Sequence, residues 1–240
     1  MSLTSNMASA VRLAALALAC ALGAPHAQAQ RPAVLPDTMA QRVLACTACH
    51  APKPKGDDAF FPRIAGKPAD YLYNQLVNFR EGRRQYPLMS YMVQHLSDDY
   101  LREIALHFSQ QHIAPPAPQH ADSAPAVFER GRVLATRGDA ALKVPACIAC
   151  HGEKLTGVAP AIPGLLGLPR DYVNAQLGAW RNKTRRAHAP DCMADIAARM
   201  SAADIDAVSR WLAVQTPPAD THPATAIARP LPSACGSSPD

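Results

Sequence analysis

The pattern Cys-x-x-Cys-His occurs twice, as Cys46-Thr47-Ala48-Cys49-His50 and as Cys147-Ile148-Ala149-Cys150-His151. No other feature narrows the chain's options as far. On a helix, positions i and i+3 share a face and i+4 lies beside them. Two thiols placed this way can form thioethers to the two vinyl groups of one haem, and the histidine that follows is held beneath the iron. The pattern marks Cys46, Cys49, Cys147 and Cys150 as attachment points for two covalent haem c groups. It makes His50 and His151 the proximal iron ligands. One such motif is compatible with chance or a thiol redox pair, whereas two, each ending in histidine, argue for haem.

The leading residues agree with that chemistry. Arg12 precedes the apolar run Leu13–Leu22, and Ala27-Gln28-Ala29 offers a small-residue cleavage site. Residues 1–29 therefore read as a secretory signal, too short in its apolar run for a retained membrane span. The mature chain is expected in the periplasm, an oxidising compartment. Net charge is +5, falling to +4 when Arg12 leaves with the signal. So modest a balance suits acidic partners or peripheral contact with an anionic membrane surface, and no nucleic-acid module is present. Hydrophobic residues make up 48% of the chain but aromatics only 5%. Much of the apolar share is alanine, which buries little area, so a large apolar cofactor would supply core that the side chains lack.

The motif repeats because the surrounding chain repeats. At an offset of 101, Pro62 matches Pro163, Gly66 matches Gly167, Tyr71 matches Tyr172, Gln75 matches Gln176, Arg80 matches Arg181 and Arg84 matches Arg185. After a three-residue insertion, Met89 matches Met193 and Ser97 matches Ser201. Periodicity predicts helices from Thr38 to Cys49, from Pro68 to before Gly82, and from Tyr100 to about Gln111. In the second copy it predicts helices over Ala126–Thr136, from Arg170, and over Ala202 to about Gln215. The prediction is an all-α chain of two tandem domains, each wrapped around one haem: 30–112 and 126–216. Residues 113–125 form a Pro-rich linker. Residues 53–58 read as a surface loop, and 217–240 as a Pro-rich, poorly ordered tail.

The repeat also bears on the sixth iron ligand. A thioether there raises the reduction potential and fills the site, which suits electron transfer rather than oxygen chemistry. Met89 and Met92 both lie in an expected loop before the last helix of the first copy. Met92 matches Ile196, which cannot ligate, so the reading favours Met89 and Met193. His95, His107, His112 and His188 are the imidazole alternatives; His95 matches Arg199. Cys192 adjoins Met193 and could ligate as a thiolate. Cys235 is the other unassigned cysteine of the mature chain, and in an oxidising compartment the two are expected to pair. Two basic runs, Arg80-Arg83-Arg84 and Arg181-Lys183-Arg185-Arg186, fit solvated helix ends, partner docking or haem-propionate pairing. Arg80 and Arg181 are the candidate propionate contacts.

Taken together these residues resemble the dihaem cytochrome c4 family of class I cytochromes c, over about residues 38–216. The likeness rests on the two haem motifs, on Phe61-Pro62-x-Ile64-Ala65-Gly66, on Tyr71-x-x-x-Gln75-Leu76-x-x-Phe79-Arg80-x-Gly82-x-Arg84, on Met89-x-x-Met92, on Leu96-Ser97-Asp98, on Gly131 and on Pro145-Ala146-Cys147. The resemblance implies two small helical domains related by a pseudo-twofold, with His/Met haems near their contact. It implies that the carbonyls of Pro62 and Pro163 accept a hydrogen bond from the proximal histidines. It also implies an electron carrier between a quinol-oxidising complex and a terminal oxidase, rather than an enzyme. A cytochrome subunit of a dehydrogenase and a thiosulfate-dehydrogenase-like dihaem enzyme are the alternatives. Departures from the pattern, Ala51, Cys192 and the long tail, leave the partner open.

Overall fold

A computed structural model of the chain describes residues 36–51, 60–120, 122–227 and 230–238. The expected signal and the expected loop at 53–58 lie outside them. Residues Asp37–Asp240 form one compact unit.

In the first copy, α1 (Met39–Arg42) and α2 (Leu44–His50) meet at Val43. A single helix was expected here. The backbone leaves helical geometry at Val43, and its side chain, 1% exposed, sinks into the core. Thr38 caps α1, its hydroxyl accepting from Gln41 N at 3.3 Å. α3 (Ala69–Arg80) follows Pro68, and the chain turns beyond it through Gly82 at φ +71°. α4 (Pro87–Val93) replaces the expected ligand loop. Pro87 opens it at a first-turn position where a missing N–H costs nothing. α5 (Asp98–Ser109) starts at Ser97, whose hydroxyl accepts from Tyr100 N. Its buried side is Leu101, Ile104, Ala105 and Phe108, the helical stripe, and it packs on α3.

In the second copy, α6 (Pro125–Thr136) leads through a turn to α7 (Ile148–His151), which carries the haem motif. A two-stranded hairpin, β1 (Gly157–Val158) and β2 (Ile162–Pro163), adds to the all-α plan. Strands this short carry no alternation to detect in the sequence. α8 (Arg170–Arg181), α9 (Cys192–Arg199) and α10 (Ala202–Ala213) complete the copy. α9 bears Met193, so this methionine too lies on a helix rather than in a loop. Each copy has its own hydrophobic core, the first around Leu101 and Phe108, the second around Leu134, Val208 and Leu212. Among the described residues no helix is long and apolar enough to cross a membrane.

α10 begins with a capping box: Ser201 Oγ accepts from Asp204 N at 3.0 Å, and Asp204 Oδ2 accepts from Ser201 N at 3.0 Å. Asp204 Oδ1 also accepts from Arg130 Nε at 2.7 Å, tying α10 to α6. Burial raises the affinity of this carboxyl for its proton, but the bonds from Arg130 and Ser201 outweigh it and hold its pKa below the usual 3.8. A folded-state pKa below the unfolded one means stability present above about pH 4 and lost as pH falls through the depressed value. Asp204→Asn is expected to cost about 1–3 kcal/mol at neutral pH. It should also flatten the acid limb of the stability curve, measured by thermal melts from pH 7 to 3.

The tail departs from expectation. Its described residues are packed against the second copy. Ala224 donates to Gly157 O at 2.9 Å and accepts from Ala159 N at 2.8 Å, extending the hairpin. Gly236 N donates to Pro190 O at 2.9 Å, and Cys192 is joined to Cys235 by a disulfide. Backbone groups make most of these contacts, and composition does not report them. Cys235→Ser should lower the melting free energy by about 2–4 kcal/mol, given a closed span of 43 residues. Limited proteolysis of the tail would accompany it.

Candidate haem sites

The second site is a cavity lined by Cys147, Cys150, His151 and Met193, with apolar walls that include Leu165, Val173, Trp180 and Ile196. α7 and its N-cap Cys147 present the two thiols and the imidazole, and Met193 of α9 lines the same cavity. His151 Nδ1 donates to Pro163 O at 2.8 Å, which leaves Nε2 unprotonated and able to bind a metal. Burial holds His151 below its usual pKa, so the ring is neutral at pH 7. Burial, with the neighbouring Cys150 adding to it, pushes the Cys147 thiol up to about 12. That thiol is therefore protonated at neutral pH.

The first copy repeats the histidine–proline contact. His50 Nδ1 donates to Pro62 O at 2.8 Å. Cys46 is half-buried with its thiol raised by burial, and both Cys46 and Met89 pack against the first core. Met92 is 37% exposed, turned away from that core. In the second copy both Met193 and Met200 line the cavity, but Met200 is 5% exposed and belongs to the core, while Met193 packs at its edge. His188 lines the same cavity and stands 3.4 Å from Arg83. His95 is exposed, and His107 bonds Gln111.

The basic runs divide in an unforeseen way. Arg80 donates to Leu96 O at 2.9 Å and to Asp98 at 2.6 Å, and Arg181 is exposed. Arg84 and Arg185 instead meet where the two copies touch. Their backbones face each other as an antiparallel bridge, with Gln85 N donating to Thr184 O and Arg186 N to Arg83 O. Arg84 donates to Gln75 at 3.1 Å, to Gln176 at 2.7 Å and to Tyr172 at 3.0 Å. Arg185 donates to Gln176 at 2.8 Å and to Gln75 at 3.0 Å. Each glutamine thus serves both arginines. The repeat had matched these residues, but only the fold shows that equivalent positions touch.

This cluster bears on what the sites hold. Among the described residues, the hydrogen-bond partners of the buried Arg185 and the half-buried Arg84 guanidiniums are neutral amides and phenols. Burial, followed by the Arg84 charge, brings Arg185 down to about 10. Burial opposes the ionisation of Tyr71, yet the charges of Arg185, Arg84 and Lys67 pull its hydroxyl below the usual value. A buried and a half-buried cation without a carboxylate call for anions from elsewhere. Trp180 Nε1 is a further buried donor without a partner, on the cavity wall. Cys46, Cys49, Cys147 and Cys150 are unpaired thiols. An apolar slot, two thiols, a neutral imidazole, the Arg185 cation and the unpartnered Trp180 Nε1 on its wall fit a haem with its propionates.

No protein-family model matches the chain. It is 38% identical over 172 residues to a thiosulfate dehydrogenase electron acceptor from Thiomonas intermedia strain K12, covering 71% of this chain and 78% of that relative. It is 32% identical over 173 residues to cytochrome c4 of Pseudomonas aeruginosa, covering 71% of this chain and 84% of the relative. Among solved structures, reduced cytochrome c4 from Pseudomonas stutzeri superposes with a TM-score of 0.62 at 29% identity, over 73% of this chain and 96% of that one.

Proposed function

Because this chain belongs to the dihaem cytochrome c4 family, binds two haem c groups covalently and carries electrons between redox proteins, we propose that it is the periplasmic electron acceptor of a thiosulfate-oxidising dehydrogenase. The Thiomonas relative bears that role in its name and has a higher identity than the cytochrome c4 relatives reported. One observation favours a carrier over an enzyme in its own right. Thiosulfate chemistry at a haem would need an iron site able to open or a thiolate ligand, and Cys192, the cysteine beside Met193, is closed in the disulfide with Cys235.

When bound, each haem holds one electron as ferrous iron and releases it as ferric iron. In this reading His50 and Met89 ligate the first iron, and His151 and Met193 the second. Pro62 and Pro163 fix the imidazole planes and strengthen the histidines as donors. Arg84 and Arg185 take the propionate-side role first assigned to Arg80 and Arg181. Gln75 and Gln176 hold the two guanidiniums beside each other, so the same cluster joins the copies and, through Arg185, lines the second site. Electrons leave to a terminal oxidase or another periplasmic acceptor.

The test is reduction kinetics. The oxidised protein should stay oxidised with thiosulfate alone and be reduced at both haems when a thiosulfate dehydrogenase is added in catalytic amount. Turnover of thiosulfate by the isolated protein would overturn the carrier assignment. Absence of reduction with the dehydrogenase present would redirect it to quinol-oxidising donors. Arg185→Gln should lower at least one haem potential by on the order of tens of millivolts, because removing a buried cation disfavours the electron-rich state. A redox titration would read it, with Arg181→Gln as the comparison showing little change.

A further inference from the structure

We propose that His112 and His222 form a zinc site that fastens the C-terminal tail to the connector between the two haem domains. His112 stands at the start of the connector and His222 in the tail. Although 110 residues apart in sequence, their Nε2 atoms lie 3.4 Å from each other. Two imidazole nitrogens sharing one tetrahedral ion, with bonds of about 2.0–2.1 Å, must be about 3.3–3.4 Å apart. The separation between the two ring nitrogens is already compatible with a tetrahedral ion such as Zn2+.

The surroundings orient the pair. Asp220 Oδ1 lies 2.6 Å from His222 Nδ1. A carboxylate can only accept, so Nδ1 carries a proton, and in the neutral ring the Nε2 lone pair is on the side of His112. The same oxygen accepts from His222 N at 3.0 Å, which holds the carboxylate in place. This is the carboxylate–histidine arrangement that orients zinc ligands and makes them more basic. On the other side, Arg63 donates to Ile113 O at 2.9 Å and to Ala114 O at 2.7 Å, pinning the connector next to His112. The two rings are tilted by 55° with centroids 4.3 Å apart. Both are exposed, and a small rotation of each brings the two lone pairs onto one ion. Water completes the coordination. The tail would then be held at two points, by the ion near its start and by the Cys192–Cys235 disulfide near its end.

The test uses chelator-treated, oxidised holoprotein titrated calorimetrically with zinc chloride. One zinc per chain is expected. His112→Ala and His222→Ala should each remove that binding event, and Asp220→Asn should weaken it by about 10–100-fold. His120→Ala, an exposed histidine of the same connector, should leave it intact. Zinc should raise the melting temperature of the parent protein and leave that of the His222→Ala protein unchanged. Undiminished zinc binding in both histidine variants, loss in only one of them, or no binding by the parent protein would each overturn the site.

Discussion

Met193→Ala is expected to halve the weak absorption near ~695 nm that marks methionine–iron ligation in the oxidised protein. Met193→His should move the potential of one haem far downward. Axial ligands command a span of ~0.8 V, and a thioether favours ferrous iron where an imidazole favours ferric. A fall on the order of a few hundred millivolts follows, with the other haem nearly unmoved. Two comparisons make the assignment decisive. Met92→Leu should change neither band nor potential, since Met92 is 37% exposed on α4. Met200→Leu should also retain the band and cost little stability, because the swap conserves volume in a well-packed core. A full band in Met193→Ala, with loss in Met200→Leu, would reverse the ligand assignment in the second copy.

The second large effect is on stability. Gly131→Ala should destabilise the second copy by about 3 kcal/mol or more. Gly131 lies on α6 where that helix crosses α10. A Cβ there would stand 2.2 Å from Ala207 O and 2.7 Å from Trp211 Cβ. The first obstacle is backbone inside a helix, so no side chain can rotate away, and the two helices must separate. Separation would loosen Leu134 against Val208 and Leu212, which form the wall behind the second haem site. Alanine is otherwise the better helix former by ~1 kcal/mol, so the sign of the effect tests close packing against propensity. Denaturant unfolding of the two proteins would measure it, and a Gly131→Ala protein as stable as the parent would refute the close crossing.

Local rules carried the reading of the helices a long way. Ser97 and Ser201 cap α5 and α10, and the apolar stripe Leu101, Ile104, Ala105 and Phe108 is the buried face of α5. These features depend on neighbours within one or two turns, which a sequence displays. The segment of Met89 and Met92 is a helix where a loop was expected, and Pro87 opens it. Val43 shows the limit of periodicity, since a buried side chain bent the backbone that the pattern had drawn straight. What separates Arg80 from Arg84 acts at longer range. Both sit at the end of one helix, and only the contact between the copies separates the arginine that pairs with Asp98 from the one that goes inside. The reading of the tail failed at that range, because its anchors are Ala224 and Gly236 backbone groups and one cysteine.

The meeting of Arg84 with Arg185 has a meaning in terms of symmetry. Each residue touches its own counterpart, and the glutamine of each copy serves the arginine of the other. Such self-complementarity is the signature of an isologous contact, the kind that joins two identical subunits about a twofold axis. Here it is made within one chain, so the surface of either copy is already shaped to receive a duplicate of itself. Fusion through the connector converts a concentration-dependent dimer contact into an intramolecular one. The two copies are then free to diverge at Met92 and Ile196, at the tail and at Cys192, while the shared face stays matched.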